Sequence, residues 1–252
     1  MALYLGNTKI GNVAVGKDIL DANSAYEKGV TDGRQEEYDR FWDSYQQNGT
    51  RTSYSHRVFG GVGFDSNNFF PKYDIVAVGT IESAFYNWSK SDELSHISLA
   101  DRLTECGVVL DTSRATNFES TFNWCWLDDL PIIDMSNATN AISTFANSSR
   151  RTTIRKIIVH EGLNYKNTFT NASGLVNVTF EGVIGGDGLD FGSCVNLSRA
   201  SMESVINCLS DTTSSRSVTF SKTAVTKAFG STTSNEWTAL AATKQNWTIS
   251  LV

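Results

Sequence analysis

Four phenylalanines, Phe122, Phe145, Phe169 and Phe191, stand 23, 24 and 22 residues apart, and a short apolar run precedes each. The runs are Val108-Val109-Leu110, Ile132-Ile133-Asp134, Ile157-Ile158-Val159 and Val178-Thr179-Phe180. Val218-Thr219-Phe220 extends the series after an excursion from Met202 to Ser210. A small residue and then an aliphatic one follow most of the phenylalanines: Cys125 and Leu127, Ala172 and Leu175, Cys194 and Leu197. The second unit is looser, with Ala146 after its phenylalanine and Ile154 as its closing apolar residue. A unit of this length cannot bury its own apolar face, so it has to stack on copies of itself.

One strand per 20–29 residues is the leucine-rich-repeat range. Stacked coils would set strands about 4.8 Å apart and bring equivalent side chains into columns. The expected interior column is Phe122, Phe145, Phe169 and Phe191, with Cys125 and Cys194 as small inward hydrophobes in the place of Ala172. The expected fold class is α+β: an N-terminal helix, a small aromatic-rich cap, then a leucine-rich-repeat-like solenoid with short parallel strands over residues 108–229. A C-terminal helix near 235–243 and a strand near 246–251 would close it.

The order strand, then F-x-x-(C/A)-x-x-L, resembles the BspA-like class of bacterial leucine-rich repeats over about half the chain. The closing segment is similar to caps of repeat proteins encoded by phages and prophages of gut bacteria. Glu37-Tyr38-Asp39-Arg40-Phe41-Trp42-Asp43 and Phe70-Pro71-Lys72-Tyr73-Asp74-Ile75 resemble segments of phage structural genes. The resemblance implies a virion component of the tail fibre or baseplate type, and it supplies no catalytic residues.

Composition divides the chain into residues 1–50, a helical assembly or docking segment; 51–105, an aromatic-rich N-cap; and 106–252, the repeat with its C-terminal cap. Within 17–47, Tyr38, Phe41, Trp42 and Tyr45 fall at i, i+3, i+4 and i+7, one face of a helix. That stripe reads as packing on its own chain or as an oligomer contact, with a homotrimer the usual fibre state. In 51–105, Tyr73-Asp74-Ile75-Val76-Ala77-Val78 reads as a strand, and Gly60-Gly61-Val62-Gly63 as a turn.

The 27 acidic residues outnumber the 21 basic ones, for a net charge of −6. That balance, without a basic cluster, argues against nucleic acid as a partner. No apolar stretch approaches the roughly 20 residues of a membrane span. The first residues carry no signal-peptide pattern, so the expected place of synthesis is a bacterial host cytoplasm and the expected location a virion.

The search for chemistry finds little. His56, His96 and His160 share no motif, and the four cysteines form no C-x-x-C pair. Glu181, Asp187 and Asp190 flank Gly185-Gly186-Asp187-Gly188. They could be paired carboxylates or calcium ligands, but a tight corner needing glycines with positive φ explains the turn more simply. Trp124 and Trp126 flank Cys125 and, in an extended piece, face away from it. With Asp128 they form the candidate contact patch for a host-surface glycan or protein, since aromatic anchors dominate recognition surfaces. The expectation is therefore a non-enzymatic protein without metal or cofactor, its partners other virion proteins and a host-surface molecule. The rival readings are a bacterial leucine-rich-repeat adhesin or interaction protein and a glycan-degrading solenoid enzyme.

Overall fold

The computed structural model describes residues 2–5, 8–12, 51–53, 74–86, 98–125, 127–211 and 216–252. The expected helix face of Tyr38, Phe41, Trp42 and Tyr45 lies outside them, as do Trp126, His56, His96 and the turn at 60–63. The described chain is mixed α/β, with short strands, few helices and, among the described residues, no closed barrel. β1 (Ala2–Leu5) and β2 (Thr8–Asn12) pair antiparallel. The remaining strands pair in parallel. β3 (Arg51–Ser53), β4 (Ile75–Thr80) and β5 (Leu110–Asn117) form one sheet. β6 (Asp129–Asp134), β7 (Thr153–Val159) and β8 (Asn177–Gly182) form a second, and β9 (Leu189–Phe191), β10 (Arg216–Phe220) and β11 (Trp247–Leu251) a third.

Alternation decides which side chains enter the core. Leu130, Ile154 and Val178 stand in register on β6, β7 and β8, as do Ile133, Ile157 and Phe180, and all six are buried. Between these two rows β7 carries two outward residues, Arg155 and Lys156, where β8 carries only Thr179. This is a β-bulge, and it shifts the register by one residue. β6 has the same extra residue, at Pro131 and Ile132, so its pairing with β7 stays regular. Pro131 is tolerated because β6 is an edge strand of its sheet.

Two edges are covered by helices. α1 (Leu99–Cys106) lies along β6; Ser98 caps it and Gly107 ends it in the left-handed conformation. α2 (Arg199–Cys208) lies along β8 and stands in for the next strand. Ser201 Oγ accepts from the Val178 N–H at 2.9 Å, and Ser204 Oγ accepts from the Phe180 N–H at 2.8 Å. The edge donors of β8 are thereby satisfied, as buried backbone groups must be. α3 (Lys222–Phe229) and α4 (Asn235–Ala242) follow β10 and close the C-terminal end, with Ser234 capping α4.

The structure corrects several sequence expectations. The first strand of the series starts at Leu110, and Val109 beside it is exposed. The stretch at 202–210 is largely helix α2. Ile154 does not close the second unit: it is the first inward residue of β7. The second unit's place of closure, six residues after Phe145, belongs to Arg151.

Candidate functional site

The phenylalanines form one column. Ring centroids are 5.8 Å apart for Phe122–Phe145, 5.3 Å for Phe145–Phe169 and 4.5 Å for Phe169–Phe191, all near-parallel. Phe85 extends the column at one end, 4.9 Å from Phe122, and Phe220 at the other, 5.6 Å from Phe191. Trp237 of α4 meets Phe220 edge-on and ends it. Cys125 and Cys194 are fully buried beside the column. Burial raises both thiols, Cys194 to about 12.

Around Phe122, Phe145 and Phe169 the chain makes a tight corner whose backbone bonds alternate. Thr121, Asn123 and Cys125 donate N–H three residues back within their own unit, to Phe118, Ser120 and Phe122. Phe118, Ser120, Phe122 and Trp124 donate instead to the next unit, to Asn140, Ile142, Thr144 and Ala146. Phe145 and Asn147 repeat the second pattern, on Thr168 and Thr170. The buried threonine before each of these three phenylalanines bonds back to the preceding unit: Thr121 to the Ile81 carbonyl, Thr144 to that of Phe118, Thr168 to that of Ala141. Such a corner needs left-handed residues two before and two after the phenylalanine. They are Ser120 and Trp124, Ser143 and Asn147, and Asn167 and Asn171, all with φ of 54° to 58°. Asparagine tolerates this conformation; a bulky ring there is an outlier.

Trp124 is thus in a turn and not the extended piece expected for it. It is still on the opposite side from Cys125: it is 43% exposed whereas Cys125 is fully buried. Asp128 lies just before β6, and its carbonyl accepts from the N–H groups of Thr152 and Thr153. Asn147 Nδ2 donates to Asn123 Oδ1, and Asn171 Nδ2 to Asn147 Oδ1, each at 3.0 Å, so an amide row runs along the corner beside Trp124. Sequence reasoning passed over this row. The shared place of Asn147 and Asn171, two residues after a phenylalanine, was the signal for it.

Arg151 is a further residue that sequence reasoning missed. It is 1% exposed and takes the position that Leu175 and Leu197 hold six residues after their phenylalanines. Its guanidinium donates to the carbonyls of Phe122 at 2.9 Å, Cys125 at 3.1 Å and Phe145 at 3.3 Å, and lies over the Phe145 ring. The first unit explains it. Leu127 follows Phe122 by five residues instead of six, and the shorter path leaves carbonyls that a long multi-donor side chain from the next unit reaches. Burial lowers the Arg151 pKa.

The three carboxylates around the glycine turn serve three separate contacts. Glu181 pairs with Lys156, Asp190 Oδ1 accepts from the Gly192 N–H, and Asp187 Oδ1 accepts from the N–H and hydroxyl of Ser217. The Ser217 bonds hold the Asp187 carboxyl below its ordinary value. Among the described residues no group of three histidine, cysteine or acidic side chains is placed to hold a metal ion. Of the glycines in this turn only Gly188 has positive φ. Gly185 and Gly186 are needed for a different reason: a Cβ there would collide with Glu161 and with the Leu163 carbonyl of the preceding unit. His160 is tied to backbone at both ring nitrogens, through the Ala138 carbonyl and the Gly162 N–H. No helix among the described residues is long and apolar enough to cross a membrane. Compared with known proteins, the chain matches no family model, no curated protein and no solved structure.

Proposed function

We propose that residues 108–229 form a leucine-rich-repeat-like solenoid of the BspA-like kind, and that the chain is a non-enzymatic virion structural protein of the tail fibre or baseplate type. The observation that carries this reading is the unbroken column of six rings from Phe85 to Phe220. A stack of this sort offers a rigid, extended side wall, which suits recognition better than turnover. The acidic residues near the glycine turn support a passive role, since Glu181 and Asp187 each hold one segment to another and Asp190 holds its own turn. In this reading the wall faces another virion protein or a host-surface molecule, and the stripe of Tyr38, Phe41, Trp42 and Tyr45 assembles the chain into a homo-oligomer. Mass spectrometry of purified particles tests the assignment. Peptides of this chain in fixed ratio to the major tail proteins are expected; their absence from particles whose other tail proteins are all detected would overturn it.

A further inference from the structure

Trp124 differs from the other tryptophans among the described residues in being exposed. Of the described tryptophans, Trp237 ends the ring column and Trp247 is buried with its Nε1–H on the Ser210 carbonyl. Among the described residues the Trp124 indole has no hydrogen bond and no ring contact. It is nevertheless held at φ 56°, in the place that the next two units give to Asn147 and Asn171. Strain at a 43% exposed aromatic that gives no hydrogen bond or ring contact among the described residues is characteristic of functional positions.

We propose that Trp124, Asn147 and Asn171 form one linear binding site for a neutral oligosaccharide lying along the stack. The three residues take the same place in three successive corners, linked by the Trp124 N–H on the Ala146 carbonyl and the Asn147 N–H on the Thr170 carbonyl. Parallel neighbours of this kind are spaced about 4.8 Å apart, so an exposed aromatic face is followed by two amides in a row. Flat rings with a polar tip suit ligands that are apolar on one face and polar at the rim. Asn171 spends one amide hydrogen on Asn147, and its carbonyl oxygen remains available to accept from a ligand hydroxyl. None of the three side chains carries a charge, which favours a neutral pyranose over an acidic one.

This site names the ligand class for the recognition wall proposed above and rests on that reading. The test is titration of the full chain with maltohexaose, cellohexaose, mannohexaose and N-acetylchitohexaose, followed by tryptophan emission. The chain has six tryptophans, so Trp124→Asn isolates the one in question. A saturable emission change with at least one neutral hexamer is expected, abolished in Trp124→Asn, weakened several-fold in Asn171→Ala and partly retained in Trp124→Phe. Trp124→Asn should also raise Tm by about 2–4 °C, because asparagine suits the left-handed corner. That rise, with loss of the signal, separates a binding role from a structural one. No response to any neutral hexamer, a response that survives Trp124→Asn, or a response only to hexagalacturonate would overturn the proposal. Any of these leaves the virion assignment to be judged by particle composition.

Discussion

The second and third units have the same strand, corner and phenylalanine, yet they close differently. In the third, Ala172 and Leu175 complete an apolar interior. In the second, Ser148 and Arg151 occupy the same two places, also buried, and both donate to carbonyls of the first unit. The difference originates one unit earlier, in the missing residue between Phe122 and Leu127. A column position therefore specifies volume and burial; whether it also specifies apolarity depends on what the neighbouring unit leaves unpaired.

The largest expected effect comes from moving the arginine to the wrong unit. Leu175→Arg should cost about 4–5 kcal/mol, since the charge enters the interior without three carbonyls arranged for it. Truncation of the shared column comes next: Phe145→Ala and Phe169→Ala should each cost about 3–5 kcal/mol by chemical denaturation. If the second unit is held by Arg151 as much as by its ring, Phe145→Ala will be the more damaging, because the guanidinium also loses its aromatic face. Arg151→Leu restores the repeat's ordinary residue but leaves the Phe122 and Cys125 carbonyls short of a donor. A loss of about 1–3 kcal/mol is expected, whereas a stabilised variant would show that the carbonyls are adequately served without it.

Two smaller effects extend the comparison to the fourth unit. Beyond its strand β8, α2 takes the place of the next strand, and Ser204→Ala should cost about 1–2 kcal/mol by leaving the Phe180 N–H unpaired; equal stability would mean that the helix covers β8 without completing it. Cys194 holds the place of Ala172. Its folded pKa of about 12 lies above the ordinary thiol value of about 8.5. The folded state therefore keeps the proton that the unfolded state releases, and stability falls as pH rises above 8.5, by about 1 kcal/mol at pH 9.5. Thermal melts at pH 8 and 9.5 should differ less in Cys194→Ala than in the native chain.

Much of this architecture was legible in the sequence because period and apolarity are local signals. Phe122, Phe145, Phe169 and Phe191, with Cys125 and Cys194, were each identifiable from spacing alone. The helices were harder. Ser98 and Gly107 bracket α1 as cap and terminator, yet the segment was read only as part of an aromatic-rich cap. α2 uses Ser201 and Ser204 to satisfy a strand edge, a role no propensity reveals. Arg151 was unreadable for a different reason: its acceptors are backbone carbonyls 26 and 29 residues away, and they carry no side-chain signature. In the candidate site, Trp124 was identifiable as an unusual residue beside the column, but the left-handed corner and the amide row depend on how units align.

The measurement closest to the central claim is a nuclear Overhauser spectrum on protein labelled only at the phenylalanine rings, with assignments from single Phe→Leu variants. The account predicts ring-to-ring contacts in the order Phe85, Phe122, Phe145, Phe169, Phe191, Phe220, each ring seeing its two neighbours in that order. Rings of Phe122, Phe145, Phe169 and Phe191 without mutual contacts would contradict the stack, and the recognition wall built on it.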